Sequence, residues 1–117
     1  MLSLYSTIDP RGYNVVCHDS TINHIDNHQI MVDNHEAIKQ TISDPDTIFK
    51  SAEYNDREVY FAKPPCATYS ENNLFTKVIL HLDDIKMTGE VVTAFPTKHI
   101  EGNIVEGGVT YVKPRLR

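Results

Sequence analysis

The chain has 117 residues, 40% of them apolar and 23% charged, with a formal net charge of −5. That is the composition of one ordinary globular domain, which buries roughly two-thirds of the surface its unfolded chain exposes. The acidity argues against a broad electrostatic grip on nucleic acid, and apolar runs as short as residues 59–62 supply no membrane helix.

Residues 1–5 lack the basic region and apolar core of a signal peptide. Cys17 and Cys66 form neither a CxxC motif nor a disulfide framework, which fits a reducing compartment and makes the cytoplasm the expected location.

In chain order, Asp9-Pro10-Arg11-Gly12 reads as a turn before a short strand at 13–18. Asp19 or Ser20 can cap a short helix carrying His24, Ile25 and His28. A second helix starts near Asp33-Asn34, where Asn34 is a competent N-cap and Glu36 favours the first turn. Its apolar positions Ala37, Ile38 and Ile42 recur at helical spacing, and Pro45 ends it.

The period then changes. Segments 47–52, 58–62, 74–82 and 90–95 read as strands, with hairpin turns at 54–57 and 83–89 and a long irregular connection over 64–73. Gly107-Gly108 reads as a turn before a last strand at 109–112. No repeat or linker divides the chain, so residues 1–117 are expected to form one α+β domain. Its N-terminal helices should pack on a twisted antiparallel β-sheet.

On a helix, the spacing of His24 and His28 stacks two imidazoles on one face. Histidine exchanges protons near neutral pH without special tuning, so the pair suggests an acid/base couple or half of a metal site. A zinc site is the weaker reading. The intervening Ile25-Asp26-Asn27 lacks the catalytic Glu of His-Glu-x-x-His, and nothing specifies a third ligand. His18, His35, His81 and His99 show no persuasive relation to one another in sequence. Charge is uneven: acids from Asp19 to Glu58 dominate the first half, while Lys98, Lys113, Arg115 and Arg117 face only Glu101 and Glu106 near the end. A local basic wall can therefore stand within an acidic protein.

From His24 to Phe95 the sequence resembles the phage and polymorphic-toxin branch of the barnase–EndoU–colicin–RelE-like nucleases. The matching pieces are His24-Ile25 with His28, Ile38 through Ile42, and Asp44-Pro45-Asp46-Thr47-Ile48. They continue with Val59-Tyr60-Phe61, Lys77-Val78-Ile79 and Val91-Val92-Thr93-Ala94-Phe95. The resemblance implies a helix-plus-sheet nuclease fold and RNA cleavage, tRNA included, without metal or other cofactor. A ribose 2′-OH would attack the adjacent phosphate, leaving a 2′,3′-cyclic phosphate and a 5′-OH. Such chemistry needs a base, an acid and donors for the charged phosphorane.

By this resemblance His24 and His28 are the acid/base candidates and Thr93 a hydroxyl for the phosphate. Lys98 would stabilise developing charge, and Lys63 is a second candidate for that role. Tyr60 or Tyr69 would stack on a base. An immunity protein or antitoxin is the partner such a toxin-like domain implies. The competing reading is a non-catalytic interaction domain of a phage or mobile element that binds a protein partner, which net acidity favours. Thr93 is also a natural strand residue, and Lys98 after Pro96-Thr97 also reads as a solvated charge.

Overall fold

Two kinds of apolar pattern, alternating in the strands and helical between residues 19 and 43, are brought together around one sheet. In a computed structural model, which describes residues 3–114, the chain opens with an antiparallel hairpin of β1 (Ser3–Ile8) and β2 (Asn14–His18). Two helices follow, α1 (Asp19–Ile25) and α2 (His35–Ser43). The remaining strands are β3 (Thr47–Ser51), β4 (Arg57–Ala62), β5 (Phe75–Asp83), β6 (Thr88–Thr97) and β7 (Ile104–Val112). They assemble side by side in the order β1-β2-β6-β5-β4-β3-β7.

The α+β class expected from the sequence is therefore present, with two corrections. The sheet is mixed rather than antiparallel, because β2 runs parallel to β6, Val15 lying opposite Gly89. Helices and three strands separate these two in sequence, so no local turn dictates their relative direction. An unforeseen strand, β1, also precedes the expected one at 13–18 and pairs with it ahead of the helices. Arg115 and Arg117 lie outside the described residues.

Helix α2 shows how sequence sets the packing. Ala37, Ile38, Thr41 and Ile42 form its buried face, and Pro45 follows within two residues of its end. That face and Ile25 of α1 close against Ile48, Tyr60, Val78, Leu80 and Ala94, which strand register places on one side of the sheet. The other side carries a smaller cluster of Val59, Phe61 and Ile79, with Phe49, Phe75, Val92 and Ile104 against it. Among the described residues no helix is long and apolar enough to cross a membrane.

Candidate active site

Strand β6 contains the irregularity that organises the outer face. Its pairing with β5 slips at Ile79/Leu80: Leu80 faces Val91, whereas Ile79 faces Thr93. Strict alternation from the inward Val91 would point Thr93 at the helices. The extra residue, Val92, instead turns Thr93 onto the outer face with Ile79. Bulges of this kind re-aim side chains and are over-represented beside active sites.

Thr93 then shares that face with Phe95 and Lys77, which lie directly opposite each other. Thr93 and Lys77 are diagonal neighbours, roughly 7–8 Å apart by the geometry of antiparallel pairs.

Lys77 is only 4% exposed, an uncommon setting for an ammonium. Its Nζ donates to the carbonyls of Glu101 (3.0 Å) and Gly102 (2.8 Å) and lies 5.3 Å from the centre of the Phe95 ring and 5.8 Å from that of Phe61. Burial pushes its pKa below the ordinary lysine value, while Glu101 and Glu53 pull it part of the way back. Two of its three N–H bonds are used by carbonyls, which leaves one for a further acceptor.

His28 reaches the same place from α1, which packs on β6: the turn after the helix sets the His28 ring 5.7 Å from the ring of Phe95. Phe95 thus separates an exposed imidazole from a buried ammonium.

The two expected histidines are not stacked on one helical face. α1 ends at Ile25, and Asn27 and His28 donate to the carbonyls of His24 and Ile25 in tighter three-residue turns. His24 remains exposed in the last turn of α1, and the helical two-imidazole geometry for zinc is not formed.

Lys63 is exposed on the outer-face side; its Nζ donates to Asn73 Oδ1 (2.8 Å) and lies 4.4 Å from the Phe75 ring centre. Lys98 follows the end of β6, exposed and without an ionic partner among the described residues.

Tyr60 and Tyr69 require correction. They are 0% and 2% exposed within the helix-side core, leaving neither ring a free face for a base. The Tyr60 hydroxyl donates to the buried Asp9 carboxylate (2.7 Å) and accepts from Arg11 Nη2 (2.8 Å). The Tyr69 hydroxyl bonds that of Thr76. Their polar ends are consumed by the fold.

Two features escape the sequence reading. Lys77 has a visible signal, a cation inside the apolar run Thr76-Lys77-Val78-Ile79. The other has none: His35 joins Asp26 and Tyr5 in a side-chain chain through contacts of 2.7 and 3.2 Å. Comparison with known proteins finds no matching family model, curated protein or solved structure.

Proposed function

We propose that this chain is a metal-independent endoribonuclease, related to the barnase–EndoU–colicin–RelE-like nucleases, whose site is the outer sheet face around Phe95. The observation that carries the reading is the bulge in β6, which puts the Thr93 hydroxyl on the face of Lys77 and Phe95, where His28 also arrives. An imidazole, a charged donor and a hydroxyl are the groups that a 2′-OH transphosphorylation requires.

In this mechanism His28 exchanges the proton at the 2′-oxygen or the leaving 5′-oxygen. Lys77, its pKa lowered by burial, is the second proton-bearing group and offers its remaining N–H to the phosphorane. Thr93 hydrogen-bonds a non-bridging oxygen. Phe95 supplies the apolar ring on which a base can stack, the role first expected of Tyr60 and Tyr69. Lys63 and Lys98 lie at the same end of the sheet and attract the phosphate backbone, despite the net charge of −5. His24 takes no part.

The test is incubation with total RNA and with tRNA in EDTA, alongside His28→Ala, Lys77→Met and Thr93→Val. Cleavage leaving cyclic-phosphate ends, lost in His28→Ala and reduced in the other two, supports the reading. Cleavage that depends on added metal overturns the mechanism.

A second reading, an interaction domain that binds a protein partner such as an antitoxin or immunity protein, is favoured by the β5–β6 hairpin tip. Ile85 there is 95% exposed beside Asp83 and Asp84, an acidic and apolar tip suited to a protein surface. Absence of cleavage on every RNA would leave this reading in place.

A further inference from the structure

Between α1 and α2 the chain makes a short excursion, residues 26–34, that carries His28 and is held by side chains at its start, middle and end. At its near end Asp26 Oδ1 lies 2.7 Å from His35 Nε2, and His35 Nδ1 lies 3.2 Å from the Tyr5 hydroxyl. In the middle, Met31 is fully buried. At the far end, Asn34 is 1% exposed; its Nδ2 donates to Ile30 O (2.6 Å) and Thr68 Oγ1 (2.8 Å), and its Oδ1 accepts from Thr68 N (2.8 Å). The expected capping role of Asn34 is thus replaced by a staple to the β4–β5 connection.

The direction of the Tyr5–His35–Asp26 chain follows from elementary chemistry. Burial first, then neighbouring Cys17 and Asp26, pushes the Tyr5 phenol above its ordinary pKa. Tyr5 therefore keeps its proton, and its hydroxyl engages Nδ1; a carboxylate only accepts, so Nε2 carries the proton aimed at Asp26. Both ring nitrogens of His35 are engaged, so His35 is not free to act on a substrate. A phenol held protonated is likewise no nucleophile. What the chain can do is hold Asp26, and with it the turn that places His28 against Phe95.

We propose that Tyr5, His35 and Asp26 form the positioning device for His28, so that His35 and not His24 is the second histidine on which the reaction depends, acting through Asp26. This rests on the ribonuclease reading above, and a readout independent of RNA separates the two. The ring protons of His28 sense the Phe95 ring and report its placement by NMR in the intact protein.

Asp26→Ala should move the His28 ring resonances toward those of a free imidazole and lower kcat about 10- to 100-fold with KM little changed, the size of effect that misplacing a catalytic group by about an ångström produces. His35→Ala should do the same. Asp26→Asn, which keeps an oxygen to accept the Nε2–H bond, should retain most of the activity and the wild-type shifts. His24→Ala should change neither.

A folded Asp26→Ala protein with wild-type kcat and unmoved His28 resonances overturns the inference, as does a loss of thermal stability alone. If the wild-type protein cleaves nothing, the ribonuclease reading has failed, and the His28 resonances by themselves decide whether Asp26 and His35 set its position.

Discussion

The two faces of the sheet use similar side chains to opposite ends. On the helix side, polar groups are closed into pairs. The Tyr60 hydroxyl sits between Asp9 and Arg11, Asp9 also takes the backbone N–H groups of Arg11 and Tyr13, and Tyr69 meets Thr76. On the outer face, Lys77 keeps one N–H unassigned, the Thr93 hydroxyl bonds no described residue, and Phe95 is half-buried. A satisfied polar group in a core contributes to stability and specificity of packing, whereas an unsatisfied one near solvent is available for binding or chemistry. The sorting is therefore by what each polar atom has left to give.

Adjacent residues of β5 probe this difference most directly. Leu80 is fully buried beneath the helices, and Ile79 is 8% exposed on the outer face. Leu80→Ala should cost about 3–5 kcal/mol in urea denaturation, because the cavity lies among rigid neighbours from two layers. Ile79→Ala should cost about 2 kcal/mol, at the lower end for such truncations, since the outer cluster can partly collapse. Equal losses would erase the energetic distinction between the faces.

Tyr60→Phe comes next in size. It removes one hydroxyl that serves both a buried carboxylate and a guanidinium, and should cost about 1–3 kcal/mol while leaving RNA cleavage untouched. A phenylalanine would stack on a base as well as tyrosine does. Lost cleavage in a folded Tyr60→Phe protein would therefore show that the Asp9–Arg11–Tyr60 network reaches the outer face.

How much of this was legible in the sequence follows the range of each interaction. α2 was readable, because Ala37, Ile38 and Ile42 repeat at helical spacing and Pro45 stops them, all within one short segment. The strands β3 to β6 were readable to within a few residues for the same reason. β1 was missed, and so was the parallel pairing of β2 with β6, since partners that far apart leave no local mark. The face of Thr93 was illegible in a stronger sense. Alternation along Val91-Val92-Thr93 gives the wrong side, and only register against Ile79 and Leu80 reveals the bulge. Residue type does not say which face of β4 Tyr60 takes, nor that the 64–73 connection folds Tyr69 back into the core. His24 and His28 looked paired on the assumption that α1 continues to residue 28, whereas it ends at Ile25.

The pH dependence of stability sharpens the status of Lys77. Burial lowers its folded-state pKa below the unfolded lysine value of about 10.4, so the unfolded chain binds more protons in the interval between the two. Stability contributed through this group must therefore rise with pH across that interval, the cost of holding a buried charge being present in full below it. Tyr13, pushed up to about 12 chiefly by its bond to Asp84, acts in the opposite sense near the same range. The measurement is thus the difference between wild type and Lys77→Met in urea denaturation from pH 7 to 10.5. The wild type should gain on the variant as pH rises. A constant difference would mean that Lys77 is as well solvated as a surface lysine, and the contrast between the faces would lose its central residue.

The smallest expected effect belongs to His24, where the null result is the informative one. The His24 side chain is exposed in the last turn of α1 and has no hydrogen-bond or ionic partner among the described residues. His24→Ala should shift stability by less than about 0.5 kcal/mol and leave cleavage at its wild-type rate. His28→Ala, four residues on, should leave stability nearly as little changed yet abolish cleavage, because its ring stands at the margin of the face that holds Lys77 and Thr93. Two histidines that the sequence presents as a pair would then differ in activity by orders of magnitude while differing hardly at all in stability. A cleavage defect in His24→Ala equal to that of His28→Ala would restore the pair and move the site off the sheet face toward the end of α1.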